Sequence, residues 1–230
     1  MELSVTALEI CRKKLGLNEL YGFDPAGADA AAELSQEAAE RSFSELVREE
    51  WILTEDERIR VSALGQHILL MLTDPEQYLI LDNAALRHVV RIYLRNGYYL
   101  FVLERKDAAE GGAEVPLTLR LLPGFKEVVG AFVYALLPDE GQTLAYETFR
   151  ITAGARDAQG AVTSAVDIRG SYRGEKLVCE AAEGADGIRI APEDAEMTVS
   201  ALVNRLTAWM LDRVAETLAQ KEDNHVAYDR

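Results

Sequence analysis

Residues able to perform chemistry are few and widely spaced in this chain. Its three histidines, His67, His88 and His225, fall in a predicted helix, at the start of a predicted strand and in the C-terminal tail. A nucleophile needs a general base within hydrogen-bond reach, and this spacing pairs no histidine with a serine or cysteine. A triad assembled only in the folded chain is the alternative, but isolated histidines are more often structural. The sequence therefore predicts no catalytic residue and a protein that is not an enzyme.

Motifs for metals and cofactors are also missing from the sequence. Cys11 and Cys179 are the only cysteines, and they form no CxxC pair and have no histidine nearby in the sequence. Neither a zinc site nor a disulfide framework is expected from such cysteines. The phosphate-binding motifs GxxxxGK[ST] and GxGxxG and the nucleophile elbow GxSxG do not occur. We therefore predict no metal and no cofactor.

Acidic residues gather in the first turn of the last predicted helix, at Glu193, Asp194 and Glu196. The positive end of the helix dipole explains carboxylates in a first turn. This group therefore predicts the start of a helix rather than general acid–base chemistry.

The candidates for a partner contact lie at and after a predicted hairpin turn. Tyr98 and Tyr99 follow the turn, and because neighbouring strand residues face opposite sides of a sheet, one of them can lie at the surface. Packing of both tyrosines against flanking helices is the favoured alternative. The charged loop after the hairpin adds three further candidates, which are Lys106, Asp107 and Glu110.

The net charge argues against polyanionic partners. The chain has 39 acidic and 24 basic residues, which gives a formal net charge of -15. Lys and Arg must neutralise phosphates for non-specific nucleic-acid binding, and a chain of this charge is repelled by nucleic acid and by anionic membrane surfaces. The expected partner is a protein.

The N-terminal segment MELSVTALEICRKKLGL lacks the basic and continuous apolar regions of a secretory signal. No run approaches the roughly 18 apolar residues of a membrane span. Together with the two isolated cysteines, these features predict a cytoplasmic protein.

The chain predicts an α+β fold whose first part, residues 1–84, is a helical subdomain. SVTALEICRKKLGL predicts a helix that ends at Gly16, and DAAAELSQEAAERSFSELVREEWI predicts a second helix. Apolar residues recur at three- and four-residue steps in the second helix, so we expect them to share one face opposite an acidic face. They are Leu34, Ala38, Phe43, Leu46 and Val47.

The stretch ELVREEWILTEDERIRVSALGQHILLML has the element order of a winged helix. The second helix leads to an acidic turn, a short β-like RIRVS and a third helix capped by Ser62, and Pro75 is expected to open a short fourth helix. The recognition helix of a winged helix must approach phosphates, yet residues 36–51 carry two bases against five acids. DNA binding is therefore the alternative rather than the prediction.

Residues 85–222 predict a largely antiparallel sheet of about six or seven strands with a central and a C-terminal helix. LRHVVRIYLRNGYYLFVLERKD predicts a hairpin at Asn96-Gly97, because a type I′ turn needs positive φ at both central positions. Further strands are predicted for PLTLRLL, TLAYETFRITA, AVTSAVDIRGSYRG, KLVCEAA and GIRIAP, and their connections are too short for parallel crossovers. Helices are predicted for PGFKEVVGAFVYALLP and, from PEDAEM onward, for residues 192–222. Residues 223–230 are expected to form a flexible tail beside one integrated domain.

Taken together, the order of elements resembles that of the EspG family, the cytosolic chaperones of type VII secretion systems. The resemblance spans about residues 3 to 215 and is carried by VTALEICRKKLGLNELYGFDPAG, LVREEWILTEDERIRVSALGQHILLMLTDPEQYL, the hairpin, LRLLPGFKEVVGAFVYALLP and SYRGEKLVCEAAEGADGIRIAPEDAEMTVSALVNRL. It implies a central twisted antiparallel sheet flanked by helical subdomains. It also implies binding of helical secretion substrates, which in that family are paired PE and PPE proteins.

The leading hypothesis is a non-enzymatic cytosolic chaperone or adaptor that holds a helical substrate of a type VII-like secretion system. The alternative is a winged-helix-like transcriptional regulator or a ligand-responsive interaction protein. The sequence leaves open the identity of the partner, the binding face and the oligomeric state.

Overall fold

The computed structural model describes residues 1–23, 36–55, 58–106, 117–138, 145–157, 160–181, 188, 190–191 and 194–228. The chain is α+β and divides into two compact units. The first unit comprises Met1–Glu76 and Arg87–Phe125, and the second comprises Gln77–Leu86 and Lys126–Arg230.

The described residues contain five helices: α1 Val5–Leu15, α2 Gln36–Arg48, α3 Ala63–Thr73, α4 Phe125–Leu136 and α5 Val199–Tyr228. They also contain eleven strands: β1 Glu2–Leu3, β2 Ile52–Glu55, β3 Arg58–Val61, β4 Gln77–Asn83, β5 His88–Arg95, β6 Tyr98–Arg105, β7 Leu117–Leu122, β8 Ala145–Arg156, β9 Val162–Arg173, β10 Lys176–Ala181 and β11 Glu196–Met197. β2 and β3 form a separate two-stranded ribbon, and the other nine strands belong to the large sheet.

In the first unit the strands of the large sheet have the order β1-β7-β6-β5. The β5–β6 hairpin turns at Asn96-Gly97, and the φ angles of 51° and 77° confirm the predicted turn chemistry. Arg95 pairs with Tyr98 directly across the turn. Every residue of β5 before Arg95 is buried, so both faces of this strand are covered, as its apolar sequence predicted.

Residues 21–23, which follow α1, are held on β5 by two polar side chains. The Tyr93 hydroxyl donates a hydrogen bond to the Tyr21 carbonyl at 2.6 Å, and Arg91 Nε donates to the Gly22 carbonyl at 2.9 Å. The Arg91 guanidinium lies 4.2 Å from the centre of the Phe23 ring and forms an ion pair with Glu104 at 2.7 Å. The charge of a buried arginine is thus compensated while it anchors the chain.

In the second unit the strand order is β4-β8-β9-β10-β11. A buried polar network joins β4, α4 and β9: Asn83 Nδ2 donates to the Ala135 carbonyl at 2.9 Å and to the Tyr172 hydroxyl at 2.8 Å. The Tyr172 hydroxyl in turn donates to the Leu136 carbonyl at 2.7 Å. The network satisfies polar groups whose burial would otherwise destabilise the fold.

The predicted sheet is confirmed as largely antiparallel, since every described strand pair is antiparallel. Its predicted size was wrong, because it has nine strands rather than six or seven. Three strands were missed, namely β1, β4 and β11. Two of them have only two residues each, and such short strands are defined by the partner strand rather than by their own sequence.

Two local expectations in the N-terminal 84 residues have different outcomes. Ser62 caps α3, with its hydroxyl accepting a hydrogen bond from the Gly65 amide at 3.1 Å, as predicted. The short helix expected after Pro75 is wrong, because residues from Gln77 onward form β4. Alternate residues of that strand are fully buried, and this period-two pattern outweighs the local helix signal of the proline.

The last helix begins later than predicted. It starts at Val199, after Thr198, whose hydroxyl accepts a hydrogen bond from the Ala201 amide at 3.2 Å. Its first turn therefore contains no acidic residue, and Glu196 belongs to β11 instead. The strand expected in GIRIAP is also wrong for its described residues, since Ile188 and Ile190 have no regular secondary structure.

Candidate protein-binding surface

Helix α2 places its charged and apolar residues differently from the sequence prediction. Leu46 is buried as expected, but Phe43 and Val47 are 40% and 47% exposed. The expectation that these two share the buried face with Leu46 is therefore wrong. Leu34 lies outside the described residues, as does the side chain of Ala38.

An acidic residue explains this orientation of α2. The Glu45 carboxylate accepts hydrogen bonds from the Ser4 amide at 3.0 Å and from the Ser4 hydroxyl at 2.8 Å. The same hydroxyl accepts a hydrogen bond from the Ala7 amide and caps α1. A carboxylate at a helix N-terminus is favoured by the unpaired amides and by the helix dipole. With Glu45 facing α1, the neighbouring positions Phe43 and Val47 face away from it.

Both basic residues of α2 interact with acidic neighbours. Arg41 lies 3.6 Å from Glu37, and Arg48 lies 3.2 Å from Glu49. Arg48 also donates a hydrogen bond to the Glu2 carbonyl at 3.3 Å. The outward side of α2 therefore offers little uncompensated positive charge to a phosphate.

Exposed apolar residues continue into the next two elements. Leu53 of β2, Ile59 of β3 and Leu64 of α3 are each 44% exposed. In the ribbon, Leu53 pairs with Arg60 and Thr54 pairs with Ile59, so Leu53 and Ile59 project from opposite faces. Single exposed apolar residues are ordinary, but five such residues between Phe43 and Leu64 distinguish this segment from the rest of the described chain.

The two tyrosines predicted as partner contacts lie in different environments. Tyr98 is 57% exposed, and its ring meets His67 edge-on with 5.0 Å between ring centroids. Tyr99 is half-buried and lies 6.1 Å from the ring of Phe125, and burial raises the pKa of its hydroxyl. Tyr98 is thus available at the surface, whereas Tyr99 packs against the start of α4.

The charged loop after the hairpin is described only at its beginning. Lys106 is exposed, and its backbone amide donates a hydrogen bond to the Arg87 carbonyl at 2.7 Å. Asp107 and Glu110, the other two candidates, lie outside the described residues.

The cysteines are buried and do not have the properties of reactive thiols. Burial raises the pKa of Cys11 and of Cys179 to about 11, and a neutral thiol is a poor nucleophile and metal ligand. In the described part of the chain, no group of three His, Cys, Asp or Glu side chains is arranged to hold a metal ion.

The acidic residues before α5 form ion pairs with basic residues. Asp194 lies 2.7 Å from Arg205, and Glu196 lies 3.0 Å from Lys176, while Glu193 lies outside the described residues. A cavity of about 350 Å³ beside α5 is lined by residues that include Arg205, Trp209, Asp212 and Glu216. Its lining carries side chains of both signs of charge.

None of the five helices has, within its described residues, the length and apolar character that crossing a bilayer requires. No protein-family model and no curated protein matches the chain.

Proposed function

We propose that this protein is a non-enzymatic chaperone or adaptor that acts in the cytoplasm and binds helical substrates of a type VII-like secretion system. The observation that carries the proposal is the orientation of α2. The Glu45 carboxylate accepts hydrogen bonds from Ser4 within the first unit, whereas the side chains of Phe43 and Val47 are exposed. Burying exposed apolar side chains is the main source of affinity in protein association, so this arrangement favours a protein partner.

The antiparallel sheet with flanking helices agrees in its general form with the architecture that the family resemblance implies. The PE and PPE proteins bound by that family are helical, and an outward apolar pair one helical turn apart suits a helical partner. No catalytic group is required for such a role.

A winged-helix-like regulator is the second candidate, and the order of α2, the β2–β3 ribbon and α3 favours it. In this interpretation α2 is the recognition helix and the ribbon is the wing. The pairing of Arg41 and Arg48 with glutamates argues against contact with phosphates. We therefore propose the winged-helix shape as a scaffold for protein binding.

The proposal is tested by affinity capture from the native cell with identification of the retained proteins by mass spectrometry. We expect recovery of a small helical secretion substrate with the unmodified protein and its loss with Val47→Ser. Leu211→Ser is the matched control, because Leu211 is 46% exposed on α5 and Val47 is 47% exposed on α2. Capture that yields no helical secreted protein would exclude the proposed function.

A further inference from the structure

Three residues of α2 form an outward stripe, and a fourth residue follows the helix. Glu40, Phe43 and Val47 are spaced by three and four residues and therefore lie along one side of the helix. All three are exposed, as is Glu50 just beyond the helix end. We refer to these four residues as the α2 face.

We infer that the α2 face binds an amphipathic helix of a partner protein whose apolar stripe is flanked by Lys or Arg residues. This inference rests on the proposed function and specifies its partner. The apolar part of the argument is geometric: Phe43 and Val47 form a ridge with the spacing of one helical turn, and such ridges pack into the grooves between side chains of a second helix.

The charge of the partner follows from the charges left on α2. Residues 36–51 contain two bases and five acids. Arg41 and Arg48 lie beside Glu37 and Glu49, and Glu45 faces Ser4. Glu40 and Glu50 have no cationic partner within the described residues, so the apolar pair has acidic residues on its borders. Opposite charges at the rim of an interface steer association and fix its register.

The same charges exclude the other occupants. A second copy of this chain that docks through the same face would bring Glu40 and Glu50 against the same acidic residues, which is unfavourable. An anionic membrane surface or a nucleic acid would meet the same repulsion. The apolar stripe of a basic amphipathic helix can pack against Phe43 and Val47, and its Lys or Arg residues can pair with Glu40 and Glu50.

The inference is tested with a synthetic amphipathic peptide of about 18 residues, long enough to form a helix. One version has a leucine stripe flanked by lysines, and a second has the same stripe flanked by glutamates. Binding to the full-length protein is followed by fluorescence anisotropy. We expect the lysine version to bind at least about tenfold more tightly than the glutamate version.

Paired variants separate the α2 face from the general acidity of the protein. Phe43→Ser and Glu40→Gln are expected to weaken binding of the lysine peptide by about five- to tenfold each, with unchanged circular dichroism. Leu211→Ser and Glu175→Gln remove an exposed apolar residue and an exposed acid elsewhere and are expected to leave binding unchanged.

Equal weakening by Glu40→Gln and Glu175→Gln, or equal binding of the two peptides, would overturn the inference. This outcome is distinguishable from failure of the proposed function. If native capture recovers a helical substrate that Phe43→Ser and Val47→Ser still retain, the function stands and the α2 face is not its site.

Discussion

At the scale of single residues, several side chains of the types that can perform chemistry are buried in the fold. Cys11 and Cys179 are 2% and 0% exposed, and His88 is buried within β5. Tyr172 participates in the Asn83 network, and its pKa is raised to about 12, mainly by burial. Burial favours the neutral forms of Cys11, Cys179 and Tyr172 in the folded protein.

The buried thiols predict that stability falls at alkaline pH. Burial raises the pKa of each thiol from about 9 to about 11, so between these values the folded protein binds more protons than the unfolded chain. The free energy of unfolding should therefore decrease as the pH rises through this window, by up to about 1.4 kcal/mol per pH unit for each thiol.

Urea denaturation between pH 8 and about pH 11 measures this effect. The double variant Cys11→Ala, Cys179→Ala is expected to show a shallower decrease than the unmodified protein, whatever its stability at neutral pH. Burial, the main cause of the raised pKa of Tyr172, is present in both proteins, whereas replacing Cys179 removes the smaller electrostatic contribution of that thiol. This loss also makes the decrease shallower in the variant, so it acts in the expected direction. Identical slopes would show that the thiols do not carry the pH dependence.

At the scale of elements, close strand contacts determine where a side chain is tolerated. Gly154 of β8 pairs with Tyr78 of β4, at a register shift between β8 and β9. A Cβ atom at Gly154 would overlap the Thr163 carbonyl oxygen and the Tyr78 ring. At Gly130 of α4, in contrast, an added Cβ would have no atom within 4 Å apart from the neighbouring residues and backbone of its own helix.

We expect alanine substitutions at these two glycines to change the stability of the protein in opposite directions. Gly154→Ala should destabilise the protein by about 1–3 kcal/mol, because the backbone oxygen of Thr163 cannot move away without disturbing the strand pairing. Gly130→Ala should stabilise it by up to about 1 kcal/mol, since alanine is the better helix former. Urea denaturation of both variants checks the pair, and stabilisation by Gly154→Ala would contradict the strand geometry.

Elements fixed by local signals were predictable from the sequence. The hairpin at Asn96-Gly97 and the cap at Ser62 have such signals, and α4 lies between Pro123 and Pro138 as expected. β1 and β11 were missed because neither has a local signal of its own. Each is defined by its pairing with another strand, β1 with β7 and β11 with β10.

Only the negative charge of the candidate surface could be predicted from the sequence. The excess of acids on α2 is visible in the sequence, but the direction in which the helix faces depends on the contact between Glu45 and Ser4, 41 residues apart. Periodicity places Phe43 and Val47 beside Leu46 on a helix, and it cannot tell which border of the apolar stripe lies at the surface. Tertiary contacts decide that point.

At the scale of the whole molecule, the net charge of -15 opposes binding to nucleic acid. We predict no change in the anisotropy of a labelled DNA duplex at protein concentrations up to about 10 μM in low salt, where non-specific contacts are strongest. A salt-sensitive complex under these conditions would support the winged-helix regulator and contradict the argument from charge.

The pairing of β1 with β7 also determines when the first unit can be completed during synthesis. Met1 and Leu119 are 118 residues apart and are joined by a hydrogen bond at this edge. At ordinary rates of translation, the N-terminal strand waits on the order of ten seconds for its partner. The β5–β6 hairpin needs no such delay, because its two strands are neighbours in the sequence. The nascent chain should therefore acquire this hairpin first and close the β1 edge only after Leu122 has left the ribosome.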